Sequence, residues 1–92
     1  MEDHAGKHIL VSGKVQGVFF RASTRDQARA LGVTGWVRNL ESGEVEIMAF
    51  GPLSAITEFV AWCHQGPVLS RVDRLVIQDV ACESFHDFDI RY

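Results

Sequence analysis

The chain lacks most of the features that would place it in a function class at once. Its two cysteines, Cys63 and Cys82, are too few for a disulfide framework and too far apart for a CxxC metal or redox motif. Reduced, buried thiols are the simple reading. His4, His8, His64 and His86 show no ligand spacing, which argues against a metal site. No run approaches the roughly 18 apolar residues of a membrane span. The start, Met1-Glu2-Asp3-His4-Ala5-Gly6, has acids where a signal peptide needs a basic and then an apolar stretch, so a cytoplasmic location is expected. Basic residues are scattered and the net charge is −3, which argues against a nucleic-acid surface. No repeat, low-complexity segment or linker divides the chain.

What is present reads as an ordinary globular protein, 47% hydrophobic and 23% charged over 92 residues. One domain is expected over residues 7–92, after a flexible tail at residues 1–6. Lys7 to Ser12 reads as a strand with apolar residues on both faces, which implies strand neighbours on both sides. Ala22 to Leu31 reads as a helix with Ala22, Ala28 and Leu31 inward, Ser23 and Thr24 helping its loose N–H groups, and Gly32 as its stop. Thr34 to Leu40 and Glu44 to Phe50 flank the turn Glu41-Ser42-Gly43 and form a hairpin, with one wet face on the second strand.

Pro52 suits the first position of a second helix, on which Leu53, Ile56, Phe59, Val60 and Cys63 form an apolar stripe. Gly66-Pro67 ends it. Arg71 to Val80 and Phe88 to Tyr92 are the remaining strands. The order β-α-β-β-α-β plus a terminal strand predicts an α+β, ferredoxin-like split βαβ fold, with two helices on one face of an antiparallel sheet. That fold hosts enzymes, metal carriers, RNA-binding domains and sensors, so function has to come from a site.

The candidate site is the turn Gly13-Lys14-Val15-Gln16-Gly17-Val18-Phe19-Phe20-Arg21, between the first strand and the first helix. Backbone N–H groups can converge on an anion there, and the helix N-terminus adds partial positive charge. A Walker A loop is excluded, because no Lys-Ser or Lys-Thr pair follows the glycines, and GxGxxG is absent. Phe19 and Phe20 can anchor the turn in the core. Arg21 sets a permanent cation against the local field, and its planar fork matches a phosphate or carboxylate. Asn39, near a strand end, is a turn former or a group able to orient a water without titrating. Asp87 and Asp89 read as a solvated strand face, Cys63 as core, and Trp36 and Trp62 as packing residues, with Trp36 able to border the site.

Taken together these residues resemble the acylphosphatase family. Gly13 to Arg21 is similar to its phosphate-binding signature, and Gly35-Trp36-Val37-Arg38-Asn39 followed by Gly43 is similar to its second signature. The likeness runs from the first strand to the closing Phe88-Asp89-Ile90-Arg91-Tyr92. It implies hydrolysis of acyl phosphates to a carboxylate and inorganic phosphate. It also implies that Arg21 binds the phosphoryl group, that Asn39 positions the attacking water, and that the backbone N–H groups of Val15, Gln16, Gly17, Val18, Phe19 and Phe20 form the phosphate nest. No cofactor or metal is called for. One departure is Leu40, where some relatives carry a hydroxyl residue.

Two other readings share the cradle. One is a non-catalytic phosphate or acyl-phosphate-binding module, which would have no need of a positioned water. The other is an accessory domain of a larger carbamoyl-phosphate-using maturation enzyme, against which the chain's end directly after its last strand favours a free-standing protein. An RNA-binding domain is disfavoured because Val45-Glu46-Ile47-Met48-Ala49-Phe50 lacks the basic and aromatic RNP1 pattern. The expected partner is a small acyl phosphate, with no nucleic acid and no membrane, and a monomer is the default for so small a chain.

Overall fold

In the computed structural model, which describes residues 3–92, the elements are β1 (His4–Lys14), α1 (Phe20–Leu31), β2 (Thr34–Asn39), β3 (Val45–Pro52), α2 (Leu53–Gln65), β4 (Arg71–Val80) and β5 (Phe88–Arg91). The strands form one sheet in the order β4-β1-β3-β2-β5. β1 pairs antiparallel with β3 and with β4, which makes it an interior strand of the sheet. β2 and β3 form the expected antiparallel hairpin. β5 lies parallel to β2 at the sheet edge, so the α+β ferredoxin-like sheet is mixed rather than wholly antiparallel.

Parallel neighbours need a crossover rather than a tight turn. Here the connection after β4 ends at Asp87, whose carbonyl accepts from the Gly35 N–H at 3.0 Å. The Asp87 carboxylate takes a two-point contact from Arg29, at 3.0 and 2.9 Å. The Phe88 N–H and the Arg29 side chain hold this carboxyl below the usual carboxylate range. Asp87 is therefore a fastener for β5 and not merely part of a solvated face.

β1 begins at His4 rather than Lys7, and His4, Ala5 and Gly6 pair with Pro52, Gly51 and Phe50 of β3. The expected tail is thus sheet from His4 onward, while residues 1 and 2 lie outside the described residues. Polar, small residues concealed this strand because its bonding is through the backbone. Gly6 is also closely packed, since a Cβ there would lie 3.0 Å from the Phe50 ring.

Alternation along the strands sends Ile9 and Val11 of β1, Val45, Ile47 and Ala49 of β3, Val37 of β2 and Phe88 of β5 into a core covered by both helices. Burying each large apolar side chain contributes about 1.5–3 kcal/mol. α2 supplies Ile56, Phe59 and Cys63, with Phe59 tilted against Phe88 at 5.8 Å between ring centroids. Leu53 stands half-exposed at the start of this helix, and Pro52 is its N-cap, one position earlier than expected. α1 buries Phe20, Thr24 and Ala28, and Leu31 packs partly buried against the core as expected, while Ala22 is half-buried and turns to the cavity wall. Thr24 Oγ1 donates to the Phe20 carbonyl at 2.7 Å, so it does not serve the N–H groups of the first turn. α1 stops at Gly32, where the Val33 N–H reaches back to the Ala28 carbonyl at 2.8 Å.

Desolvation pushes the buried Cys63 thiol up to about 12, whereas Cys82 is exposed, so only one of the two thiols is a core group. On the sheet face away from the helices, Glu46 is approached by His8 Nε2 at 2.8 Å and accepts from Arg38 Nε at 2.5 Å. Trp36 belongs to the same face, with the guanidinium groups of Arg38 and Arg91 over its ring at 5.4 and 4.9 Å.

Candidate functional site

A bulge interrupts β1 between Ser12 and Gly13, shortly before the strand ends at Lys14. Gly13 has φ 131°, and a Cβ there would lie 2.1 Å from the Arg71 carbonyl oxygen, so only glycine lets β1 pass β4 this closely. From the bulge the chain swings away from the sheet into the loop. Val15 and Val18 send their side chains into the core and fix the loop from below. Gly17, at φ 73°, takes the left-handed turn at the exposed crest. The Gln16 side chain fastens the loop laterally, its Nε2 donating to the Leu40 carbonyl at 2.8 Å and the Glu44 carbonyl at 2.9 Å. Leu40 therefore contributes to the loop through its backbone.

The two phenylalanines separate at the helix start. Phe20 is buried, its ring 5.9 Å from that of Trp62. Phe19 is 78% exposed and does not anchor the core. Its backbone is left-handed at the N-cap, φ 60° and ψ 24°, and its own ring stands outward while the side chains of its neighbours Val18 and Phe20 are buried.

Among the described residues no side chain caps α1. The Ser23 N–H donates to the Phe19 carbonyl at 3.0 Å, which leaves the N–H groups of Phe20, Arg21 and Ala22 without intrahelical partners. Among the described residues, no backbone carbonyl accepts from the N–H groups of Gln16, Gly17, Val18 or Phe19 either. A run of free donors thus meets the positive end of the helix dipole. Arg21, the second residue of α1, adds a full positive charge and makes no ion pair among the described residues. Its guanidinium carbon lies 4.8 Å from the centroid of the Tyr92 ring.

Asn39 is the last residue of β2, on the strand face that carries Gly35 and Val37 toward the helices. Its Oδ1 is buried and has no hydrogen-bond partner among the described residues. A buried polar atom left unpaired costs about 1–3 kcal/mol. Asn39 and Arg21 line the same cavity of about 330 Å³, together with Val15, Gly17, Phe19, Phe20, Ala22, Ile90 and Tyr92.

Of the sequence-derived residues, Arg21, Asn39, Val15, Gly17, Phe19 and Phe20 are therefore brought to one cavity, while Gln16 and Val18 do not line its wall. Trp36 is not on that wall and does not border the site. Ala22, Ile90 and Tyr92 were not singled out from sequence. The last two follow from the parallel register, which sets Arg91 beside Arg38 and so carries the end of β5 to the end of β2. Alternation in the closing strand was visible, but its neighbour was not. The side-chain role of Gln16 was also missed, since a glutamine in a loop gives no hint of which carbonyls it will reach.

Comparison with known proteins gives a consistent result. The acylphosphatase family profile matches residues 7–90. An acylphosphatase from Marinobacter nauticus is 52% identical over 82 residues, spanning 88% of this chain and 89% of that protein. The solved acylphosphatase from Coxiella burnetii superposes with a TM-score of 0.93 at 40% identity, covering 97% of this chain and 94% of that one. Full-length HypF in a phosphate- and nucleotide-bound form matches at a TM-score of 0.91 and 28% identity, covering all of this chain (100%) but 12% of its own.

Proposed function

The chain belongs to the acylphosphatase family and hydrolyses acyl phosphates, and on that premise we propose how its residues divide the work. Arg21 and the free N–H groups of the 15–20 loop hold the phosphoryl group, and Asn39 orients the water that attacks it. The observation that carries this reading is Asn39, whose Oδ1 has no hydrogen-bond partner among the described residues, on the wall of the cavity that Arg21 also lines. A module that only bound phosphate would have no use for such an acceptor.

In the reaction, R–CO–O–PO₃²⁻ and water give R–COO⁻ and H₂PO₄⁻. The water oxygen forms a new bond to phosphorus, and the bond from phosphorus to the bridging oxygen breaks. The electron pair leaves with the carboxylate. Asn39 Oδ1 accepts a hydrogen bond from the water and aims its lone pair at phosphorus. The water proton passes to a phosphoryl oxygen, so no side chain has to titrate. Arg21 and the N–H groups neutralise charge on the non-bridging oxygens, and positioning with charge stabilisation is most of what phosphoryl transfer asks of a protein. A carboxylate leaves readily without strong protonation. These roles need no metal or cofactor.

Hydrolysis of benzoyl phosphate with EDTA present tests the Arg21 role. Arg21→Ala should lower the rate by at least about 10², by analogy with loss of an oxyanion donor. Arg21→Lys should not restore it, because an ammonium cannot make the two-point contact. Near wild-type turnover by folded Arg21→Ala would refute the assignment.

The same proposal has the protein act as a monomer without nucleic acid. Arg25, Arg29, Arg38 and Arg71 are engaged by carboxylates rather than gathered on an open face, which supports the second point. Its two unpaired cysteines suit a reducing compartment such as the cytoplasm. No helix among the described residues is long and apolar enough to cross a membrane.

A further inference from the structure

Two aromatic side chains at this cavity are left over once the phosphoryl and water sites are assigned. Phe19 is 78% exposed and Tyr92 is 96% exposed, yet both line the cavity that holds Arg21 and Asn39. Phe19 is also the one non-glycine residue with positive φ among the described residues. Glycine or asparagine would hold that left-handed N-cap with less strain, and a bulky ring there is a conformational outlier. Phe19 therefore combines a strained backbone with an exposed ring. Strain of this kind gathers where a ligand is held.

The geometry of the displacement says which part of the substrate reaches these rings. Attacking and leaving oxygens lie roughly in line through phosphorus. Asn39 is a half-buried polar residue of the wall, so a water it orients sits at the inner side of the cavity. The leaving acyl group then points to the opposite, exposed side, where Phe19 and Tyr92 stand. Tyr92 already lies against the Arg21 guanidinium at 4.8 Å, so a group beside its ring is also next to the phosphoryl anchor. Ile90 and Ala22 add apolar surface to the same wall.

We propose that Phe19 and Tyr92 form an acyl subsite that makes this enzyme selective for aromatic acyl phosphates over acetyl and carbamoyl phosphate. The inference rests on the assignment of Arg21 and Asn39 given above. An aromatic acyl group covers the exposed rings and takes up offset-stacked or edge-to-face contacts, whereas an acetyl or carbamoyl group is too small to reach them.

The test compares kcat/KM for benzoyl phosphate and acetyl phosphate in wild type, Phe19→Asn and Tyr92→Leu. Asparagine tolerates the left-handed backbone, and both side chains are exposed, so the fold is retained. Intrinsic reactivity differs between the two substrates but is the same for every variant, so the benzoyl-to-acetyl ratio isolates the subsite. Each substitution should lower that ratio by roughly three- to tenfold, the worth of one aromatic contact. Tyr92 lies outside the phosphate loop, so Tyr92→Leu keeps the test readable even where Phe19→Asn disturbs the nest. Ratios that stay at the wild-type value in both variants, whatever happens to the separate rates, overturn the subsite. Failure of the underlying assignment looks different: Arg21→Ala would then turn over both substrates at near wild-type rates.

Discussion

The Gln16 side-chain amide donates to the Leu40 carbonyl at 2.8 Å, which fastens the loop between β1 and α1 to the residue next to Asn39. Its second bond, to the Glu44 carbonyl at 2.9 Å, reaches the other side of the same hairpin turn. The two halves of the site, one from the β1–α1 loop and one from the end of β2, are thereby held in register. Gln16→Met keeps the length of the side chain and removes both bonds. It should cost about 1–3 kcal/mol in urea unfolding. It should lower kcat/KM by about tenfold or more, because small displacements of positioned groups are expensive. Wild-type kcat/KM in a folded Gln16→Met would show that the loop holds its place without the clip.

Gly13 governs the same loop from its other end. Gly13→Ala places a Cβ 2.1 Å from the Arg71 carbonyl oxygen at φ 131°, a conflict that neither backbone can relieve by a side-chain rotation. Destabilisation by more than about 1 kcal/mol is expected. A urea midpoint equal to wild type would show that the bulge tolerates a side chain.

The core gives a larger effect. Phe59 is fully buried and packs against Phe88, the residue that starts the edge strand β5. Phe59→Ala should cost about 3–5 kcal/mol. Because β5 carries Ile90 and leads to Tyr92, any loosening near its start should also weaken the cavity wall. Thermal or urea unfolding measures the first effect, and kcat/KM under folding conditions the second.

Acid should act partly through Glu46. Burial raises its pKa, but the hydrogen bonds from His8 and Arg38 and their charges outweigh that effect and leave it below its ordinary value of 4.5. A carboxyl depressed in the folded state contributes stability that is complete above its unfolded pKa. That contribution is lost as pH falls through the folded value. Unfolding midpoints measured from about pH 6 down to pH 3 should therefore fall, and Glu46→Gln should flatten the slope below about pH 4.5. An unchanged slope in Glu46→Gln would assign the acid sensitivity to other carboxylates.

Most of the fold was legible because its signals are local. The stripe Ile56, Phe59 and Cys63, the stop at Gly32 and the alternation of Val45, Ile47 and Ala49 each depend on neighbours within a few residues. The grouping of Arg21 with Asn39 came from motif resemblance rather than spacing, since nothing local joins residues on separate elements. What was missed depends on distant partners. β1 extends to His4 because β3 receives it, and β5 runs parallel because Asp87 binds Gly35 and Arg29. Phe19 was misplaced because two adjacent phenylalanines look alike until a left-handed N-cap separates them. Tyr92 entered the site only through that parallel register.

The central claim is that phosphate binding and water orientation belong to different residues. The direct measurement is the affinity for inorganic phosphate beside kcat for benzoyl phosphate, in wild type, Arg21→Ala and Asn39→Ala. Arg21→Ala should lose both. Asn39→Ala should keep phosphate affinity within about threefold, since in this assignment Arg21 and the loop N–H groups supply the donors that hold the anion. Its kcat should still fall by about 10² or more, the loss expected when a reacting group is no longer positioned. Asn39→Ala that turns over at close to the wild-type rate would contradict the account.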